Sequence, residues 1–197
     1  MNRYIKKLMV LNKNKGINVL IIFFLIIPSL NVYCQNNGNT KQPNNNIISE
    51  PITPQLTKQE SWECKQKAIK EGDIKAYNEF TMYSGAEYKK GWDYHYEKFL
   101  PIALVMANKY NSGRACKDIY RYTVNFYKNC GIEMDTNTIN FILFYLFKGA
   151  ELNDISCLST LSELYKKGEY VPQDSVKAAE YKKKYREAWE RENPKTS

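Results

Sequence analysis

Histidine is almost missing from this chain: His95 is the only one in 197 residues. That leaves little for zinc sites or imidazole acid–base pairs, which draw on several histidines or on histidine with cysteine pairs. Five cysteines are too few for a disulfide-dense miniprotein. The phosphate-cradling GxxxxGK and GxGxxG, the metalloprotease HExxH and the nucleophile-elbow GxSxG do not occur, so the usual loop-borne chemistries have no foothold. Long apolar runs are lacking too. The longest free of polar residues, Val19–Ile27, has nine, whereas a bilayer-spanning helix needs about 20.

What is present is a foldable composition, 43% hydrophobic and 25% charged, which argues against wholesale disorder. The formal charge of +8 is unevenly placed. Residues 1–34 carry Arg3, Lys6, Lys7, Lys13 and Lys15 and no acid; beyond them 24 cations face 21 acids. The basic balance therefore belongs to the first segment and gives no signal for nucleic acid.

That segment reads as an export signal. Five cations precede the apolar stretch 17–30, INVLIIFFLIIPSL, the order of a secretory leader. Met9 offers an alternative start. Two processing chemistries compete at Val32-Tyr33-Cys34-Gln35. Cleavage after Cys34 leaves Cys and Val at the −1 and −3 positions and exposes Gln35, which can cyclise. Lipoprotein processing would acylate Cys34 instead, but bulky Tyr33 stands where a small residue is wanted. Cleavage after Cys34 is the preferred reading, and a retained anchor the weakest. Residues 35–56 are Asn-rich with three prolines; they bury too little to offset chain entropy and read as a disordered linker. Residues 57–192 are left for a folded domain and 193–197 for a flexible tail.

The 57–192 region repeats itself. Tyr88, Tyr127 and Tyr165 open Tyr-Lys segments ending in Gly91, Gly131 and Gly168, and the tyrosines lie 39 and 38 residues apart. Small residues Ala76, Cys116 and Cys157 are followed four positions later by Phe80, Tyr120 and Leu161, in steps of 40 and 41. A shared period of about 40 residues is the signature of stacked units. Within one period the pattern is helix, turn, helix. Cys157, Leu158, Leu161, Leu164 and Tyr165 share a face, with Asp154 placed to cap that helix and Gly168 to stop it. Asp174 or Ser175 caps the next helix, where Val176, Ala179 and Tyr185 are expected inward and Lys182–Lys184 in water. Gly131 stops another helix and Asp135-Thr136 caps its successor. There Ile139–Phe147, apolar or aromatic nearly throughout, is too short to cross a membrane and reads as a buried middle helix. Pro101, inside an expected helix over 94–110, predicts a kink or break.

The series Cys157, Leu161, Leu164, Tyr165, Gly168, Val171, Asp174, Ala178 and Tyr181 resembles the Sel1-like repeat, a relative of the tetratricopeptide repeat. A looser copy runs through Cys116, Tyr120, Tyr127, Gly131, Asp135 and Ile139, and the weakest through Ala76, Phe80, Tyr88 and Gly91. The resemblance covers roughly residues 60–190. It implies an all-α fold, an α-solenoid of antiparallel helix pairs with about three to four repeats, acting as an adaptor without catalysis or cofactor. It also implies that the first helix of each pair lines the binding side; Tyr94, Tyr96, Asn108, Asn140 and Tyr145 are the candidates named for it. Some secreted members carry a disulfide within each repeat. Here Cys116 and Cys130 fall on one expected helix, about 21 Å apart at 1.5 Å per residue. Cys116 and Cys157 occupy equivalent sites about 10 Å apart. Both spacings exceed the about 7 Å a disulfide allows, so Cys64, Cys116, Cys130 and Cys157 are expected as free thiols.

His95, among Trp92, Asp93, Tyr94 and Tyr96, is the only candidate for hydrolytic chemistry, and no nucleophile or metal partner is evident in sequence. Glu60 and Glu63 share a helix face, as many surface acids do. Lys182–Arg186 is interleaved with Glu180, Glu187, Glu190 and Glu192, the pattern of a solvated helix. The expected function is an exported adaptor for a protein or peptide, not for nucleic acid, meeting a membrane only through lipidation of Cys34 or a retained leader. The alternative is an envelope hydrolase or cell-wall factor built around His95.

Overall fold

The computed structural model describes residues 56–83 and 91–194, with backbone only at positions 83 and 91–95. The described residues form seven helices and no strand: α1 Lys58–Glu71, α2 Ile74–Tyr83, α3 Gly91–Lys109, α4 Gly113–Cys130, α5 Thr136–Glu151, α6 Ile155–Lys167 and α7 Ser175–Glu192. Packing runs mainly between successive helices, and α1 also touches α3 and α4 touches α6. Residues 1–55, which hold the leader, Cys34, Gln35 and the linker, lie outside the described residues, as does Tyr88.

Helix ends are set by local chemistry. Thr57, Ser112, Asp135, Asp154 and Asp174 accept hydrogen bonds from backbone N–H groups three residues on, satisfying donors that the first helical turn leaves free. At Thr57 the side chain of Glu60 returns the bond, completing a capping box. Gly131 and Gly168 end α4 and α6 at φ 65° and 72°, a left-handed conformation that glycine adopts without steric cost.

A second capping pattern was not anticipated. Gly72-Asp73, Asn111-Ser112 and Asn153-Asp154 each place a left-handed residue, φ 75°, 51° and 60°, before the residue that caps the next helix. Asp73 Oδ1 accepts from Ala76 N at 2.9 Å and plays that part for α2. Asn tolerates the left-handed region better than other side-chain-bearing residues, so Gly and Asn serve interchangeably. These turns recur with the repeat period and lie against one another. A Cβ on Gly113 would stand 2.7 Å from Asp154 Cβ, so only glycine lets one turn sit on the next.

The core follows the period. Cys116 and Cys157 are fully buried, as are Leu158 and Leu161, while Leu164 and Tyr165 are nearly so. Tyr120 and Tyr127 are half-buried, and Ala178 is buried against α6, where Ser162 Oγ donates to its carbonyl at 2.9 Å. In α5 the middle of the apolar run, Ile142, Leu143, Tyr145 and Leu146, is buried.

Several expectations are corrected. Val176 is 67% exposed and Ala179 is exposed too. The inward stripe of α7 is instead Ala178, Tyr181, Tyr185 and Ala188, because α7 packs chiefly on α6 and buries only a narrow face. Pro101 does not break α3, which continues to Lys109. Its ring is exposed, and Phe99, Leu100, Ile102 and Ala103 are buried on either side of it; that burial outweighs the roughly 3 kcal/mol cost of an interior proline. Cys116 and Cys157 are free thiols, as expected, and both border Gly149 of α5. A Cβ on Gly149 would meet both, at 3.0 Å from Cys116 Cβ and 3.2 Å from Cys157 Cβ, so α4 and α6 converge across a glycine of α5. Cys64, Cys116 and Cys157 are free thiols, but Cys130 is disulfide-bonded. The expectation of four free thiols fails there.

Leu161→Ala should lower unfolding free energy by about 2–5 kcal/mol, as a buried large-to-small change does, whereas Val176→Ala should stay within about 0.5 kcal/mol. Chemical denaturation of both variants checks the burial pattern; equal losses would refute it.

Candidate interaction surface

The hydrogen bonds that link each described helix to its second neighbour have a common spacing. Tyr77 Oη donates to Asp118 Oδ2, joining α2 to α4 across 41 residues. Tyr110 Oη, just past α3, donates to the carbonyls of Ile69 and Lys70 near the end of α1, across 41 and 40. Asn108 and Tyr145 join α3 to α5 across 37, and Lys148 Nζ of α5 reaches the carbonyl of Ala107 across 41. Lys117 Nζ of α4 donates to Thr160 Oγ1 of α6 across 43. Arg191 of α7 reaches Asn153 Oδ1 across 38. Each helix is thus bonded to its second neighbour. The odd-numbered helices are joined near their C-terminal ends, where orphan carbonyls and the negative end of the helix dipole favour hydroxyl and cationic donors.

The named candidates do not form one exposed patch. Tyr94 and His95 lie in α3, with side chains outside the described residues. Tyr96 is half-buried and stacks on Phe126 of α4, with ring centroids 4.4 Å apart. Tyr145 is 5% exposed, and its hydroxyl is engaged by Asn108 at 2.9 Å. Burial raises the hydroxyl pKa of both tyrosines. Asn108 and Asn140 are exposed. By the landmarks that place Ala76, Cys116 and Cys157 on first helices, all five lie on second helices, α3 and α5. Tyr96, Asn108 and Tyr145 hold helices together.

The faces of α2, α4 and α6 carry a different set of residues, missed in sequence. Asp118 of α4 is 1% exposed. Its Oδ1 lies 2.9 Å from Arg121 Nη2, and its Oδ2 lies 3.4 Å from Arg114 Nε and accepts from Tyr77 at 2.9 Å. A buried carboxylate is tolerated only with such partners. Burial and the Asp118 charge hold the Tyr77 hydroxyl pKa well above the ordinary value. Lys117, on the same side of α4, donates to Thr160 and lies 4.8 Å from the centre of the Tyr120 ring. The spacing Arg114, Lys117/Asp118, Arg121 is a one-face helical pattern, but the acceptor role of Asp118 depends on Tyr77, which no local signal connects to it.

Among the described residues, no group of three or more His, Cys, Asp or Glu side chains could hold a metal ion, and no helix is long and apolar enough to cross a membrane. A half-open groove between α6 and α7 is lined by Ser162, Glu163, Lys166, Gln173, Ala178 and Lys182 among others, without a nucleophile–base pair. No protein-family model matches the sequence, and no curated protein matches it.

Two measurements check the buried polar pair. Asp118→Ala should cost about 1–3 kcal/mol, because the Tyr77 hydroxyl loses its acceptor inside the core. Tyr77→Phe should cost less, since both arginines remain on the carboxylate. Stability should also fall on the alkaline side. Burial pushes the Cys116 thiol up to about 11, from 9.0, and raises the thiol of Cys157 and the hydroxyl of Tyr77. The unfolded chain therefore ionises first, and the stabilisation is complete below about pH 9 and lost above it. Thermal melts from pH 7 to 11 should show a falling midpoint; a flat profile would contradict this burial.

Proposed function

We infer that this chain is an exported helical-repeat adaptor of the Sel1/TPR-like kind, holding a protein or peptide partner in the bacterial envelope without catalysing a reaction. The observation that carries the reading is the second-neighbour bonding at 37 to 44 residues. It matches the period of the Tyr-Lys-Gly and small-residue landmarks, as expected when each unit buries its apolar face on the next. The Gly or Asn turns before successive caps add a third series with the same period. Stacking units in this way sets equivalent helices side by side and yields an extended surface, the form in which such arrays bind partners. The leader-like 1–34 segment and the Asn-rich 35–56 segment support an exported, tethered placement.

Affinity capture from the native envelope with the full chain as bait tests the adaptor role. One protein should be enriched reproducibly, and the purified pair should bind saturably. Turnover of a small-molecule library with no protein enriched would replace this reading with an enzymatic one. The envelope form should have the mass of a chain shortened at its start; a full-length mass would overturn export by leader removal and leave the adaptor intact.

A further inference from the structure

The groove between α6 and α7 has small residues at its floor and charged ones at its rim. Ser162, Ala178 and Ala179 line it with little more than a hydroxyl and two methyl groups. The Ser162 hydroxyl donates to the Ala178 carbonyl at 2.9 Å and holds the two helices together. The space left encloses about 620 Å³, within the range of about 300–1,000 Å³ for clefts that hold ligands. Lys166 stands on the α6 wall and Lys182 on the α7 wall, both exposed. Gln173, from the turn between the helices, also lines the groove, and its Nε2 donates to the Lys166 carbonyl at 3.0 Å.

The acids nearby are mostly engaged. Asp174 caps α7 and lies 3.3 Å from Lys177, and Glu187 lies 3.9 Å from Lys183. Glu163 lines the groove itself, yet among the described residues neither Lys166 nor Lys182 forms an ion pair with it or with another acid. The groove thus offers ammonium donors on both walls, with the Glu163 carboxylate and the Ser162 oxygen as acceptors. An extended chain leaves its amides and carbonyls unpaired and can use both kinds; a helix has already paired its own. Trp189 lies seven residues beyond Lys182, on the same face of α7 and about 10 Å along it at 1.5 Å per residue. That distance is about three residues of extended chain, and Trp189 is 50% exposed. Glu163 disfavours a nucleic-acid backbone, which presents a phosphate every few ångströms and rewards a continuous basic track.

We propose that the groove between α6 and α7 docks an extended acidic segment of a partner protein. A carboxylate of that segment sits between Lys166 and Lys182, and an apolar side chain about three residues on rests against Trp189. The site rests on the adaptor reading and specifies its chemistry. Lys182, solvated in the free chain, gains a counter-charge through charge-assisted hydrogen bonds. The small floor lets the segment's backbone approach closely. Trp189 already stacks on Tyr185, with ring centroids 6.4 Å apart, so less side-chain freedom is lost on binding.

Fluorescence anisotropy with a labelled Asp/Glu-rich peptide carrying one Phe tests the site on the purified full chain. The peptide should bind, and added salt should weaken it. Lys166→Gln and Lys182→Gln should each weaken binding by about three- to fivefold, the weight of one exposed ion pair, and Glu163→Gln should tighten it. Ala179→Phe, at an exposed position lining the groove, should abolish binding by filling the floor. Trp189→Ala should weaken the Phe-bearing peptide and leave the same peptide with Ala in place of Phe unchanged, a coupling that a merely structural Trp189 would not show. Lys183→Gln, off the groove, should change nothing. Absence of peptide binding, undiminished binding by Lys166→Gln, Lys182→Gln and Ala179→Phe, or tighter binding of a Lys/Arg-rich peptide, an oligonucleotide or phosphatidylglycerol vesicles would overturn the proposal. If Ala179→Phe still captures the same envelope partner as the unaltered chain, the groove falls and the adaptor reading stands.

Discussion

No described helix of this protein is stabilised by its immediate neighbours alone. Each rests on a bond or close approach to a segment about 40 residues away, and several of these sit where helices end. A helix terminus leaves carbonyls without partners. Here the Tyr110 hydroxyl covers those of α1, and the Lys148 ammonium covers Ala107 at the end of α3. The turns are pressed together closely enough that Gly113 has room for no side chain beside Asp154. One unit thus supplies the missing hydrogen bonds of the preceding one, and stability is shared along the stack rather than gathered in one central core.

The same arrangement explains the small residues. Gly149 lies between Cys116 and Cys157, so the thiols fill the space a larger residue would need for itself. Fully buried, and with their ionisation disfavoured, they behave as compact apolar groups. Cys130, at the end of α4, has a different fate as a disulfide partner. Equivalent chemistry at three positions of one residue type is decided by where each stands in the packing.

Charge follows a parallel logic. Asp118 is buried because Tyr77, Arg114 and Arg121 meet it together. The cost of placing a carboxylate there is offset only if all its lone pairs are used. The arginines that serve this structural purpose remain partly exposed, 39% and 32%. Lys182–Lys184, by contrast, are exposed on α7, where Lys183 pairs weakly with Glu187 at 3.9 Å, and they form a solvated face.

Features confined to a few consecutive residues were legible without coordinates. Asp135, Asp154 and Asp174 cap helices, Gly131 and Gly168 stop them, and the spacing of Cys157, Leu158, Leu161, Leu164 and Tyr165 marks one buried face. These rest on hydrogen bonds spanning three or four residues, or on one face of one helix, so adjacent letters contain all the necessary information. The inward face of α7, the continuation of α3 through Pro101, the packing of Cys116 and Cys157 against Gly149 and the bond from Tyr77 to Asp118 belong to tertiary structure. Each depends on how far a helix is rotated about its axis and how closely its second neighbour approaches. Those quantities are set by burial and charge pairing summed over segments some 40 residues apart, where no local pattern carries the answer.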